Sequence, residues 1–300
     1  MELTYHSEDH FSARLRDETG VGQMDAYRVF PGIYLSYNDF RLRKCESSYA
    51  PEVPMFGLEH CREGKVEWEL ENGDYAYLGS GCLSPCNYGD NNGHFEFPMR
   101  SYQGLSFGMV LPDAAKGLPG DFPIDLEALE ARIRTAGTLD LSADARSTYV
   151  FGLLYEAQGR SMLHKRLACL ELLLLLNDLK WEENSAKILY FPRAQVLKIK
   201  EMERFLTENL DHRFTLEELS AKFGLSVNAV RRCFAGVFGD SVAVYMKRIR
   251  MEQAKRRLSG GTETIAAISA SLGYDNPSKF AAAFRSFTRL SPQMYRDQFR

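Results

Sequence analysis

The spacing of apolar residues along this 300-residue chain changes near residue 123. Before that point they alternate with polar residues in short runs, the two-residue period of strands. Ile33-Tyr34-Leu35-Ser36-Tyr37 opens one such run, and Val66-Glu67-Trp68-Glu69-Leu70 alternates strictly, apolar on one face and acidic on the other. Asn72-Gly73 then precedes Tyr75-Ala76-Tyr77-Leu78. Asn-Gly between alternating runs predicts a type I′ turn, because both central residues must tolerate positive φ, so 66–78 is expected to form a hairpin. Gly79, Gly81, Pro85, Gly89 and Gly93 punctuate the following stretch, and 105–110 reads as a further strand. Many short strands with regular turns predict a small β-barrel or sandwich over 1–122.

Past Pro123 the period lengthens to that of a helix. Asp125 is placed to cap a helix with Leu126, Leu129 and Ile133 on one face. Residues 142–180 predict two helices broken near Gly159, the second carrying the apolar run 167–176, interrupted only by Glu171. A membrane span needs about 18–20 such residues, so this helix is expected to be buried or to pair two chains as a homodimer. The stretch 182–192 lacks a clear period and ends in Pro192, which places a linker at 183–194.

From Arg193 onward the chain reads as helical, and it repeats itself. Residues 215–224, TLEELSAKFG, correspond to 264–273, TIAAISASLG. Ser226, Val230 and Phe234 correspond to Asn276, Phe280 and Phe284. Each copy predicts a short helix, a glycine turn, a cap and a second helix, the helix-turn-helix pattern. Thr215 with Glu218 forms a capping box, Gly224 suits a left-handed helix end, and Ser226 caps the next helix. In the second copy Asn276 caps, and Pro277 sits where its missing N–H costs nothing. Between the copies, 241–258 predicts one helix with Val242, Tyr245, Ile249, Ala254 and Leu258 inward, ended by Gly260-Gly261. Its length is roughly 27 Å, enough to set two second helices about 34 Å apart, one turn of B-DNA.

Residues 195–300 resemble the DNA-binding domain of the AraC/XylS family of bacterial transcription regulators. The residues that carry the likeness are Arg250-x3-Ala254-x3-Leu258, Ile265-x2-Ile268-x4-Gly273-Tyr274, Asn276-x-Ser278-x-Phe280-x3-Phe284-Arg285 and Ser291-Pro292-x2-Tyr295-Arg296. Two positions depart from the family's pattern: Ser269 stands where Ala is usual, and Arg289 where Gly is usual. The resemblance implies an effector-responsive regulator with a cupin-like N-terminal domain, promoter DNA and RNA polymerase as partners, and a role such as activator. The expected fold is therefore α+β and multidomain. A cupin-like β-barrel (1–122) with a helical appendage for dimerisation (123–182) precedes an all-α domain (195–300) with two helix-turn-helix motifs at about 215–237 and 264–287.

Charge sharpens this division. The chain carries 37 Lys+Arg and 40 Asp+Glu, a net charge of −3, yet 193–300 alone has a surplus of +8 and the remainder a deficit of −11. A basic module on an acidic body is the asymmetry expected of a protein that meets a polyanion. Val230 and Phe234 at i and i+4 face the core, which leaves Asn228, Arg231 and Arg232 for the major groove, where Arg pairs with guanine and Asn with adenine. By the same phase Phe280 and Phe284 are core, and Ser278, Lys279 and Ala282 face outward, with Arg285 one turn on toward a phosphate. Arg250 reads equally as a structural residue binding a carboxylate or carbonyl between the modules. Lys255, Arg256 and Arg257 read chiefly as a solvated face.

The N-terminal part offers fewer chemical signals. Trp68, Tyr75, Tyr77 and Tyr102 are candidates to line an effector pocket, although aromatic residues at strand spacing equally fill a barrel. His60-Cys61, Cys82-x3-Cys86 and His94 hold one closely spaced cysteine pair and no second, so neither metal nor other cofactor is expected. Two other classes fit the module less well. An alkylation-repair protein with Cys82 or Cys86 as zinc-activated methyl acceptor lacks its four thiolates, and a metal-dependent cupin enzyme lacks its ligand set. No enzymatic activity is expected. The first residues show no secretory signal, and six sparse cysteines point to reduced thiols in the cytoplasm, with no membrane partner.

Overall fold

Ile33, Leu35 and Tyr37 turn one buried face of a strand inward, and Leu105, Phe107 and Met109 do the same on the neighbour. This pair sits near the middle of an antiparallel sheet in a computed structural model that describes residues 2–46, 55–70, 73–87, 94–120, 122–184 and 191–299. The chain divides into two units, Met1–Tyr190 and Phe191–Arg300. Among the described residues the first holds strands β1 (Glu2–Ser7), β2 (His10–Asp17), β3 (Gly20–Phe30), β4 (Ile33–Arg41), β5 (Lys44–Glu46) and β6 (Phe56–Glu69). They continue as β7 (Tyr75–Gly79), β8 (Cys82–Asn87), β9 (His94–Glu96), β10 (Tyr102–Met109) and β11 (Leu139–Asp140). The order is β1-β2-β3-β4-β10-β6-β8-β11, with β7 and β9 on the far half of β6 and β5 on β9. A register shift between Gln103 and Gly104 bends the long β6, and the sheet curls into a half-barrel.

Among the described residues this unit also holds the helices α1 (Leu111–Gly117), α2 (Leu126–Thr135), α3 (Ala145–Glu156) and α4 (Met162–Asp178). Asp125 accepts from the Ala128 N–H and starts α2, whose buried residues are Leu126, Leu129 and Ile133. Val150, Phe151 and Leu154 of α3 and Leu172, Leu173 and Leu176 of α4 share one core with the inward face of the sheet. A 3₁₀ turn, Ala157–Gly159, separates α3 from α4. Its end is closed by the buried Lys165, whose Nζ donates to the carbonyls of Ala157 (2.9 Å), Gln158 (3.0 Å) and Arg160 (2.7 Å) and lies 4.4 Å from the centre of the Tyr27 ring. Three carbonyls and an aromatic face offset the desolvation of that ammonium. Among the described residues no helix is long and apolar enough to cross a membrane.

Three local features differ from the expectation. Strands β1–β3 precede the first expected strand. Phe11, Ala13 and Leu15 alternate with Ser12, Arg14 and Arg16, but β1 is exposed along its whole length, so its composition carries little hydrophobic signal. The short helix α1 was not expected. The β6–β7 hairpin forms, yet not through a two-residue turn. The Gly73 N–H donates to the Leu70 carbonyl and the Leu70 N–H to the Asp74 carbonyl, each at 2.8 Å. The hydrogen-bonded residues Leu70 and Asp74 are therefore separated by three positions, with Gly73 left-handed at φ 82°. Asn72, Gly89 and Gly93 lie outside the described residues.

The second unit is helical: α5 (Arg193–Glu208), α6 (Leu216–Phe223), α7 (Val227–Phe238), α8 (Val242–Gly260), α9 (Ile265–Ser271), α10 (Pro277–Thr288) and α11 (Pro292–Asp297). Of the linker expected at 183–194, residues 185–190 lie outside the described set, and Phe191 packs its ring on Gly236 of α7. In α8 the residues Val242, Tyr245, Ala254 and Leu258 are buried, but Ile249 is only half-buried, and Met246, Arg250 and Met251 are buried as well. The helix packs against α7 on one side and α9, α10 and α11 on others, so its covered surface is wider than one stripe.

The two copies end differently. Gly239 closes α7 at φ 80°, whereas Arg289, at the corresponding place after α10, adopts φ 66° to let its N–H reach the Arg285 carbonyl at 2.8 Å. A side chain with Cβ is strained in this region by about 1–2 kcal/mol. Arg289→Gly is expected to raise the unfolding free energy of the protein by about 1 kcal/mol, read as a higher urea midpoint. An unchanged midpoint would show that the Arg289 side chain offsets its own backbone.

Candidate nucleic-acid interface

Each module positions its second helix by caps and by buried residues one turn apart. In the first, Thr215 and Glu218 form the reciprocal capping box, Gly224 ends α6 at φ 61°, and Ser226 accepts from the Ala229 N–H. In the second, Thr264 accepts from Ala267, and Asn276 accepts from the Ser278 N–H at 2.8 Å with Pro277 behind it. A shared serine ties the turns. Ser220 Oγ donates to the Leu225 carbonyl and Ser269 Oγ to the Tyr274 carbonyl, so serine at 269 repeats a hydrogen bond of the first copy. Val230, Phe234, Phe280 and Phe284 are all fully buried. Phe234 meets Tyr245 of α8 edge-on at 5.4 Å, and Phe280 meets Tyr274 at 5.5 Å.

With that phase fixed, Asn228, Arg231 and Arg232 on α7 and Ser278, Lys279, Ala282 and Arg285 on α10 are exposed. Among the described residues no hydrogen bond or ion pair occupies the side chains of Asn228, Arg231, Arg232, Lys279 or Arg285. Several cations elsewhere in the unit are engaged. Arg250 is buried, its Nε donating to the Leu210 carbonyl (2.9 Å) and its Nη2 to the His212 carbonyl (2.8 Å). It is a structural residue, bonded to carbonyls. Lys255 pairs with Glu252 at 3.2 Å, and Arg257 pairs with Glu263, whose carboxyl it holds below the ordinary range. Arg296 is buried and donates to the Glu263 carbonyl at 2.7 Å. The partners of Arg250 and Arg296 are backbone carbonyls of other segments, which no local spacing reveals.

In the first unit the aromatic candidates fall on two faces of the sheet. Trp68 and Tyr102 pack into a small cluster with Leu42, Leu78 and Phe97. Tyr75 and Tyr77 alternate with Ala76 and Leu78 and so turn the other way, beside Glu67, with the Lys65 ammonium 5.7 Å from the Tyr77 ring. Tyr102 sits 5.7 Å from Phe97, ring to ring, as core. The space between the sheet and α3 and α4 is a void of about 10 Å³, one water at most. A cleft of about 790 Å³ opens elsewhere, lined by Phe56, Leu111, Leu118, Phe122, Leu126 and Arg134 among others. Its lining is shared between α1, α2 and the loops that flank α1, where periodicity gives no warning of a concavity.

Burial pushes the thiols of Cys61 and Cys169 up to about 12 and that of Cys45 up to about 11, and it raises Cys82 too. Reactive thiols have the opposite shift. Among the described residues no three His, Cys, Asp or Glu side chains are grouped to hold a metal ion. His60 stacks on Phe151 at 3.7 Å, with the Tyr155 hydroxyl 3.0 Å from its Nδ1.

Residues 219–298 match the family model described as a helix-turn-helix domain. Over 105 residues the chain is 31% identical to the uncharacterized HTH-type transcriptional regulator YisR of Bacillus subtilis, covering 35% of this chain and 37% of that protein. It is 35% identical over 102 residues to the uncharacterized HTH-type transcriptional regulator YdiP of Escherichia coli, covering 34% of each. The HTH-type transcriptional activator RhaR of Mannheimia succiniciproducens is 25% identical over 130 residues, 43% of this chain and 45% of that protein. A solved AraC-type regulator structure from Chromobacterium violaceum is 19% identical, covering 34% of this chain and 92% of that chain at a TM-score of 0.32. The chain therefore spans between about a third and under half the length of the curated relatives it matches. The second unit holds a double helix-turn-helix domain. It is of the AraC type.

Burial pushes the His60 imidazole down to about 4. The unfolded chain binds that proton near pH 6.5, so it takes up more protons than the folded state as pH falls below 6.5. Stability is therefore expected to fall by on the order of 2 kcal/mol between pH 6.5 and pH 5 from this group. Urea titrations at the two pH values should show that loss in the wild type and a smaller one in His60→Phe; equal losses would rule out His60 as its source.

Proposed function

We propose that the protein is a sequence-specific, DNA-binding transcriptional regulator that reads two adjacent major-groove segments per monomer. The observation that carries this is the pair of capped second helices, on which Arg231, Arg232, Lys279 and Arg285 point outward unoccupied while Arg250, Lys255, Arg257 and Arg296 nearby are engaged. On this reading Arg231 and Arg232 pair with guanine edges, Asn228 with adenine, and Lys279 and Ser278 read the second segment. Arg285 contacts a phosphate. The alanines around it, Ala281, Ala282 and Ala283, leave α10 poorer in donors and suited to thymine methyl groups. The relatives' names as transcriptional regulators support the reading for the shared segment.

The rest of the reading concerns the first unit. A small-molecule effector biases it, and the 790 Å³ cleft is of a size that holds such a molecule. The protein works in the cytoplasm as a binding protein with no catalytic group, and RNA polymerase is its partner by resemblance. It dimerises through α4. Leu163 and Leu167 are 63% and 55% exposed, and Leu170 and Leu174 are half-buried, so leucines recur at i, i+4, i+7 and i+11 on the side opposite the core. That is the spacing of a helix-pairing seam.

Arg231→Ala and Arg232→Ala are each expected to weaken binding to a duplex selected from random DNA by about 1–3 kcal/mol while flattening discrimination against mismatched sites, measured by fluorescence anisotropy. Lys255→Ala should change little. Affinity of the wild type should fall with salt by about 0.9 in log K per phosphate neutralised and decade of salt. Leu167→Glu should turn a dimer into a monomer by analytical ultracentrifugation; an unaltered mass would remove α4 from the interface.

A further inference from the structure

The second helix-turn-helix does more than hang from the end of α8. Leu210, in the loop between α5 and α6, packs against the second module's core of Met251, Leu258, Ile268 and Phe280. The loop's backbone presses on that module's turn. A Cβ added to Gly273 would stand 2.7 Å from the Asp211 carbonyl oxygen and 3.1 Å from that of Leu210, and the residue is left-handed at φ 71°. Two arginines fasten the contact from either side. Arg250, from α8, grips the Leu210 and His212 carbonyls. Arg213, within the loop itself, donates from Nε to the Gly273 carbonyl at 3.0 Å and lays its guanidinium 4.9 Å from the centre of the Tyr274 ring. Tyr274 in turn stands edge-on to Phe280, the first core residue of α10. A continuous path of hydrogen bonds and packed rings thus runs from the first module's loop to the second module's reading helix. α8 supplies a second tie, since its Met251, Ala254 and Leu258 belong to the second module's core and its other end packs on α7.

We propose that Arg250 and Arg213 are positioning residues that lock the second helix-turn-helix to the first, so that the protein selects the number of base pairs between the two segments it reads. This rests on the DNA-binding reading and deepens it. Inserting one base pair turns the far segment by about 34° and moves it by about 3.4 Å. A locked pair of helices cannot follow that displacement without losing one set of contacts; a hinged pair can.

The test uses the full chain and a duplex selected in vitro, whose two segments are mapped by footprinting, then remade with one base pair added or removed between them. The wild type is expected to lose about tenfold or more in affinity on either change, and Arg213→Gln and Arg250→Met about threefold or less. Arg213→Lys, which keeps one donor for the Gly273 carbonyl and a cation over Tyr274, should recover part of the penalty. A phosphate contact by Arg213 would lower affinity equally at every spacing and leave the ratio untouched. Should Arg250→Met fail to fold, the exposed Arg213 carries the test alone. Variants that bind the selected duplex with the wild-type spacing penalty overturn the lock, as does a wild type with no penalty. A wild type that binds no duplex overturns the DNA-binding reading as well, so the two failures are distinct.

Discussion

The rotation of two short helices about their own axes decides what this protein presents to its surroundings. Val230 with Phe234, and Phe280 with Phe284, are buried one turn apart, so neither α7 nor α10 can roll without bringing an aromatic ring into water. Both helices are also stopped at both ends, by Ser226 and Gly239 in the first copy and by Asn276 and Arg289 in the second, so they cannot slide. Rotation and register together put Arg231, Arg232 and Lys279 in the open. Arg289 is informative here: a strained left-handed arginine where the other copy has glycine shows how strongly the end of α10 is imposed by what packs around it.

Charge has meaning in this unit only after its partners are known. A surplus of +8 over 193–300 treats all lysines and arginines alike. The fold separates them. Arg250 and Arg296 are internal fasteners bonded to carbonyls, Lys255 and Arg257 are neutralised by neighbouring carboxylates, and Arg231, Arg232, Lys279 and Arg285 on the second helices are unoccupied. An exposed ion pair contributes little to stability, but it takes a cation out of reach of a polyanion.

The first unit follows another logic. Its core is one layer of helices on the inner face of a curled sheet, filled to a void of about 10 Å³. Lys165 is held by three carbonyls, while burial keeps His60 and the thiols neutral. α4 carries leucines on two faces, one buried in the core and one bearing the exposed Leu163 and Leu167.

Local chemistry was readable in the sequence wherever a few consecutive residues decide the outcome. The capping box at Thr215, the left-handed Gly224, the caps at Asp125, Ser226 and Asn276, and the core phase of α2, α7 and α10 all depend on neighbours within a turn or two. The repeat then revealed two modules of one kind. The tertiary structure alone decided matters that join distant segments: the pairing of the polar β1 with β2, the division of the aromatic candidates between two faces, the cleft beside α1, and the carbonyl partners of Arg250 and Arg213. Such interactions pair groups dozens of residues apart, Arg250 with Leu210 and Arg213 with Gly273, and no periodicity along the chain encodes which backbone oxygen will stand unpaired beside a guanidinium once the helices have packed.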